Sequence, residues 1–580
     1  VALLSSSDEA VVVPDGAALV LRLDGPVMES RPQVDPIQML LQDEGSPRPI
    51  ALRDIVEALQ TAADDDRIGA LVLDLGAFPG AAPATLRALG DAITDFRATG
   101  KPVFTGADFL SQSQYLLASH STHLYLNPLG QVLLRGFSSE PTFFAEALEK
   151  LRVNVHVFRV GEYKSAVEPF IRNDMSDASR EANAALVQGL WTEYRNRIAS
   201  NRSLPPEALD ALINDMPARL RAVDGDLARL ALETGLVDEL LSRDAFTERM
   251  VNLVGADDDD ESYRQVGLRA YLNNARLSAL ARPHDDMQHI GVVVAEGTIT
   301  GGNDSGQVGE ATAALIRRAR KDADISGLVL RVNSPGGSAF FSEVVRKELE
   351  LVQLQGKPVV VSMGGLAASG GYWISATADR IFSEPDTITG SIGIFGLLPT
   401  FEASAQALGV NSDGVGTHAL SGAGNALEPL NPAFAELLQQ SVERGYERFV
   451  DIVARGRQMD PENVDSIAQG RVWLGRTALE LGLVDDLGGL QDAVDAAAEA
   501  AGLIAWEMEY LEEERSTQEQ LLDRFFASRA AGAVTGLLDG PTVRTLERMA
   551  SWAVSPLALL SALDDPEHVY ALCSLCPGGG

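Results

Sequence analysis

The run G-G-L-A-A-S-G-G-Y-W at 364–373 sets one hydroxyl, Ser369, among small residues and glycines, just after the strand-like K-P-V-V-V-S-M at 357–363. A serine at a strand-to-helix junction presents its oxygen beside backbone amides, and a helix start favours developing negative charge there. Upstream, L-V-L-R-V-N-S-P-G-G-S at 328–338 ends another apolar run in a glycine pair. Two such turns can aim two N–H groups at one oxygen, the arrangement of an oxyanion hole for acyl chemistry. Gly-rich turns also serve close packing or phosphate binding. No P-loop is present, nor a G-x-G-x-x-G with a suitably spaced acidic residue, so nucleotides are not the expected ligand.

A serine hydroxyl is a poor nucleophile until a base removes its proton. His418, in G-T-H-A-L-S-G, has no obvious carboxylate to orient it, and His289 is the only other histidine of this half. A lysine serves instead if burial lowers its pKa from about 10.4 toward about 7–8. Spacing alone selects no lysine.

The elements that position these residues come in two sets. A-L-E-T-G-L-V-D-E-L at 231–240 returns as A-L-E-L-G-L-V-D-D-L at 478–487, and L-V-L-D-L-G-A-F-P-G at 71–80 matches L-V-L-R-V-N-S-P-G-G at 328–337. G-K-P-V occurs at 100–103 and 356–359, and S-Q-Y-L-L-A-S at 113–119 matches G-Y-W-I-S-A at 371–376 in pattern. The offset of about 250 residues indicates a tandem domain duplication, since solenoids repeat every 20–50. Short apolar strands alternate with amphipathic helices, which implies an α/β fold with parallel strands and right-handed crossovers. The expected boundaries are 1–255, a connector over 256–287 opened by D-D-D-D-E, a second copy over 288–502, and a C-terminal helical extension over 503–580.

The copies differ where chemistry would sit. A-F-P-G in the first has lost one glycine of S-P-G-G, and the position facing Ser369 falls near Gln112 or Ser113. One active half and one altered half is the simplest account.

At 580 residues more than one core is expected. The formal charge of −35 repels nucleic-acid phosphates and anionic lipid surfaces. Membrane attachment would therefore require an apolar anchor. Met549–Leu563 is too short for a span and contains Pro556. The chain starts at Val1, so an upstream segment is open to having been processed or omitted. Cys573 and Cys576 cannot fill a structural zinc site alone, and fit a terminal disulfide or an idle pair. No metal-binding histidine spacing is present, and no cofactor is expected.

S-P-G-G, then G-G-L-A-A-S-G-G-Y, then T-G-S-I-G-I at 389–394, with V-G-E-Y-K-S-A-V-E-P-F at 160–170, resemble the signal peptide peptidase A (protease IV) family in its long, duplicated form. The resemblance spans nearly the whole chain and implies a tandem ClpP/crotonase-like fold. It implies Ser369 as nucleophile, Lys164 of the first copy as general base, and Ser391 as the group that orients the amine. Gly337 and Gly370 follow as oxyanion amides. The second copy has T-H-A-L-S-G-A where the first has E-Y-K-S-A, so each half keeps what the other lost.

The family also implies apolar, signal-peptide-like substrates, a homotetramer, and an upstream anchor in the bacterial inner membrane with the catalytic part facing the periplasm. Phe340, Phe341, Leu366 and Trp373 flank the motifs and read as either a groove wall or core. Two rival readings are a crotonase-like acyl-CoA enzyme with a carboxylate base and a catalytically idle membrane-associated scaffold.

Overall fold

The computed structural model describes residues 13–30, 49–259, 261–280, 287–301, 307–513, 565 and 569–573. Two parallel sheets carry the duplication. The first has six strands in the order Glu239–Leu240, His123–Val132, Val103–Leu110, Ile68–Asp74, Ala17–Arg22 and Gln265–Gly267, all paired parallel. The second runs Val472–Leu474, Ile388–Gly390, Val359–Ala368, Ile325–Ser334, Gln288–Glu296 and Trp506–Tyr510, with Arg380–Ser383 and Asp486–Leu487 branching from Val359–Ala368. Among the described strands of this sheet only the edge strand Val472–Leu474 pairs antiparallel.

The local causes are ordinary. Every residue of Val359–Ala368 is buried, as expected of a parallel strand covered on both faces. The helix Glu310–Lys321 buries Thr312, Ala313, Ile316 and Ala319, a single stripe at helical spacing. The repeated G-L-V-D blocks do the same work in both copies. Tyr115 donates to the Leu236 carbonyl at 2.8 Å, and Tyr372 to the Leu483 carbonyl at 2.7 Å.

A third sheet ties the copies together. Its antiparallel order is Gly336–Ser338, Tyr570–Leu572, Ile394–Thr400, Asn154–Val160. Asn154–Val160 belongs to the first copy and pairs along its full length with Ile394–Thr400 of the second. A buried ion pair, Arg331 Nη2 to Glu29 Oε1 at 2.7 Å, also crosses between the copies, and Arg87 reaches Asp386 at 3.0 Å. Removing one partner of such a buried pair costs about 3–5 kcal/mol, so these contacts fix the docking.

The helical extension expected over 503–580 is corrected where it is described. Trp506–Tyr510 and Tyr570–Leu572 are strands, and residues 514–564 lie outside the described residues. W-E-M-E-Y alternates with period 2 and pairs with Gln288–Glu296, so the strand signal prevails over the surrounding helix formers.

Candidate active site

Ser369 ends the strand Val359–Ala368 and precedes the short helix Gly370–Ser375. Its backbone is left-handed, with φ 57° and ψ −113°, and its side chain makes no capping bond to that helix. A non-glycine residue held there costs about 1–3 kcal/mol, a strain tolerated where a site needs it. The conformation is pinned by the Ser369 N–H donating to Gly390 O at 2.8 Å. Its hydroxyl is thereby left to another partner.

That partner is Lys164. The Lys164 Nζ lies 2.7 Å from Ser369 Oγ, and 3.1 Å from both the carbonyl oxygen and the Oγ of Ser391. All three residues are buried. Lys164 follows directly from the inter-copy strand Asn154–Val160, which carries it across into the second copy. Its backbone passes against Gly470, where an added Cβ would lie only 2.6 Å from Lys164 N. Ser391, also left-handed at φ 53°, is held by its N–H to Arg471 O at 2.7 Å.

Burial alone pushes the lysine pKa down to about 7, because among the described residues no carboxylate stands beside it to favour the ammonium. A neutral amine in hydrogen-bond contact with a serine hydroxyl can take its proton near neutral pH.

The glycine turn stands opposite. The Ser338 N–H donates to Ile299 O at 2.8 Å and the Ile299 N–H to Gly336 O at 2.9 Å, so Gly337 presents its own N–H on the other side of the strand. Gly336, at φ +91°, has its Cβ position 2.5 Å from Gly370 N. The amides of Gly337 and Gly370 therefore flank one small space beside Ser369.

Other sequence candidates fall elsewhere. His418 is exposed and bonded to Thr417, away from buried Ser369, and His289 faces Glu509 at 3.9 Å. Of the apolar side chains beside the motifs, Trp373 and Leu366 are core, Phe341 is half-buried, and only Phe340 is exposed. Trp373 also donates to Glu343 at 2.9 Å. Cys573 is disulfide-bonded. Among the described residues no three His, Cys, Asp or Glu side chains converge as metal ligands, and no helix is long and apolar enough to cross a membrane.

The model of Peptidase family S49 matches twice, over residues 95–257 and 352–504. Protease 4 of Salmonella typhi is 42% identical over 91% of this chain and 84% of its own length. The chain belongs to peptidase family S49. Protease 4 of Haemophilus influenzae is 37% identical over 99% of this chain and 93% of its own. The chloroplastic serine protease SPPA of Arabidopsis thaliana is 26% identical over 71% and 60%. Among solved structures, a mutant form of the 1510-N membrane-bound stomatin-specific protease covers 39% of this chain and 99% of its own at 12% identity and a TM-score of 0.26. As an S49 member the chain is a serine protease built on a duplicated α/β unit, and peptides are its substrates.

What sequence reasoning missed is how the two motifs meet. Lys164 and Ser369 are 205 residues apart, and the antiparallel pairing of Asn154–Val160 with Ile394–Thr400 carries no repeat or turn signal. The left-handed backbone at Ser369 and Ser391 likewise has no sequence mark beyond a flanking glycine.

Proposed function

We propose that Ser369 is the nucleophile and Lys164 the general base of a Ser–Lys endopeptidase that degrades cleaved signal peptides and other apolar, unfolded chains. The observation that carries this is the 2.7 Å contact between a buried lysine amine and a hydroxyl that caps nothing. Neutral Lys164 accepts the Ser369 proton as the oxygen attacks a peptide carbonyl. The amides of Gly337 and Gly370 hold the oxyanion, each contributing about 3–4 kcal/mol in comparable sites. The lysinium then protonates the leaving amine, and water hydrolyses the acyl-enzyme. Ser391 accepts from the amine and keeps it aimed at Ser369.

Signal-peptide preference follows from the family resemblance and from a relative named putative signal peptide peptidase SppA in Enterococcus faecium, 35% identical over 31% of this chain and 53% of its own length. The same reading includes a homotetramer and an upstream anchor in the bacterial inner membrane, with catalysis on the periplasmic side. Support for assembly comes from the segment 408–427, where Leu408, Val410, Val415, Leu420 and Leu427 are exposed together. Light scattering on the purified chain tests the assembly, and fractionation of the intact gene product tests the membrane.

The function is tested by turnover of an apolar fluorogenic peptide. Ser369→Ala and Lys164→Ala should both be inactive while folded. A Lys164→Ala protein that works at the wild-type rate would remove lysine as the base.

A further inference from the structure

The two turns of the first copy that hold no nucleophile still wall a cavity. It measures about 60 Å³ and is lined by Ala81 of the A-F-P-G turn and by Gln112 and Ser113 of the turn opposite Ser369. These three residues are half-buried or exposed to a similar degree, whereas Leu86, Leu116, Leu190 and Tyr194 are buried and form an apolar floor. The cavity therefore opens on the side of the turns.

The second copy shows why the space exists. Tyr115 and Tyr372 make equivalent bonds, so Leu116 stands where the second copy has Trp373. The helices Asp177–Arg202 and Pro432–Arg457 each have 26 residues and a left-handed cap, at Ser203 and Gln458. That match sets Tyr194 opposite Phe449 and Glu193 opposite Arg448. Counting back from the shared G-K-P-V sets Arg87 opposite Glu343. In the second copy the Trp373 ring packs 4.6 Å from Phe449 and donates to Glu343, which also pairs with Arg448 at 3.0 Å. In the first copy the ion pair is reversed, Arg87 to Glu193 at 3.2 Å, and a leucine replaces the indole. The cavity is the seat of that indole, left partly empty.

Size and charge limit what can fill it. A volume of about 60 Å³ far exceeds the ~10–15 Å³ that one water needs. It falls short of the ~150 Å³ that takes a benzene ring, so an aliphatic side chain fits and a cofactor does not. The charges on the wall are already paired: Arg87 also meets Asp386 at 3.0 Å, Glu193 meets Arg476 at 2.6 Å, and Arg197 meets Asp91. A neutral carbon group is thus favoured over an ion, whose desolvation would go uncompensated. Position ties the cavity to the substrate. Ala82, between the lining residues Ala81 and Pro83, lies against Gly365, where an added Cβ would stand 2.9 Å from that of Ala82. Gly365 precedes Ser369 on the strand Val359–Ala368 by roughly 13 Å of extended backbone. A peptide seated at Ser369 reaches the cavity within a few residues of its cleaved bond.

We propose that this cavity is a peptide exosite of the first copy, taking one aliphatic side chain of the leucine class from the chain that the second copy cuts. The ligand rests on the apolar-peptide reading above, and the site is independent of which group serves as base. The first copy then holds substrate without cutting it, and long apolar chains gain an anchor that short ones lack.

The test is photocrosslinking in the Ser369→Ala protein, using a leucine-rich peptide of about twelve residues, about 40 Å when extended. One leucine at a time is replaced by a diazirine-bearing analogue. Mass spectrometry should find label within 81–87, 112–116 or 190–194, and adding Leu116→Trp, the residue of the second copy, should remove it. Ala81→Leu, which fills the mouth from a half-buried position, should do the same without altering the core. With Ser369 intact, either substitution should lower kcat/KM for the long peptide about 10-fold relative to a short one, the scale of one apolar side chain left unburied. An absence of label in those segments, label there that persists in both filled variants, or an unchanged ratio of long to short overturns the proposal. A protein with Ser369 intact that cuts no peptide, while the cavity still takes label, fells the protease reading and leaves this site standing.

Discussion

The turn that holds Ser369 has a counterpart in the first copy, and the two have been put to opposite uses. Tyr115 and Tyr372 make the same bond to the G-L-V-D block, so counting back three residues from each sets Gln112 opposite Ser369. In the first copy Ser111 caps the helix Gln112–Ala118 in an ordinary extended conformation, its hydroxyl accepting from the Gln114 N–H. Gln112 spends its amide on the chain nearby, accepting from Gly136 N at 3.0 Å and Arg135 N at 3.2 Å. In the second copy the serine is left-handed, caps nothing, and meets a lysine. Pro79 also stands where the second copy has Gly336, at which an added Cβ would meet the Ala571 carbonyl oxygen. The first copy has relaxed into good local structure. The second retains a strained turn whose hydroxyl is available for reaction, as expected where strain is held by surrounding contacts at a site.

Breaking the second turn should have the largest effect. Ser369→Ala and Lys164→Ala should each lower kcat on an apolar peptide by about 10⁴-fold or more, and the double variant should be no worse than either, since members of one unit are not additive. A double variant far below both singles would mean that the two groups act separately.

Next comes the glycine that the first copy replaced. Gly336→Ala adds a Cβ into the carbonyl site at a φ of +91°, which strains any side chain. We expect kcat/KM to fall by about 10²-fold, the scale of one lost oxyanion interaction. Pro79→Gly in the first copy should leave kcat/KM unchanged. Equal losses at the two positions would erase the distinction between the turns.

The burial of Lys164 sets a pH dependence in both activity and stability. With its pKa lowered from 10.5 to about 7, the rate should rise as pH climbs through 7 and level off above, because the neutral amine is the proposed base. For stability the sign is the reverse of a favourable ion pair. Between pH 7 and 10.5 the unfolded state binds the proton that the folded state has released, so stability rises with pH across that window. Below pH 7 the cost is present in full, on the order of 5 kcal/mol as an upper bound. Lys164→Met should therefore melt higher than wild type at pH 6, with the gap narrowing toward pH 10. A variant that melts lower at pH 6 would place the lysine in a polar, solvated site.

These differences were unequally visible in the residues. The glycines around Ser369 and the loss of one glycine in A-F-P-G can be read directly, because a turn's steric needs act locally. The alternation of strands and helices is equally local, and both parallel sheets follow from it. Lys164 could be named only by resemblance, since nothing within several residues of it distinguishes a buried amine from a solvated one. Its approach depends on a strand that pairs across the duplication. The extended tail at Tyr570–Leu572 was hidden for a similar reason: its conformation is imposed by two distant strands, not by the propensities of V-Y-A-L-C.

The smallest expected effect is the sharpest test of what separates the copies. Gln112→Ser, made in the Ser369→Ala protein, restores a hydroxyl to the first turn, and we expect no recovery of peptide turnover. A serine there would start an already capped helix, with Ser111 supplying the cap and a regular backbone directing the new side chain away from the left-handed geometry of Ser369. The segment of the second copy that corresponds to the lysine block carries His418 on an exposed stretch, so no buried amine is offered in return. Recovery of turnover would mean that a hydroxyl at this turn suffices and that backbone strain and the lysine contribute little. Its absence would assign the difference between the halves to the turn conformation and to the lysine that crosses from one copy into the other.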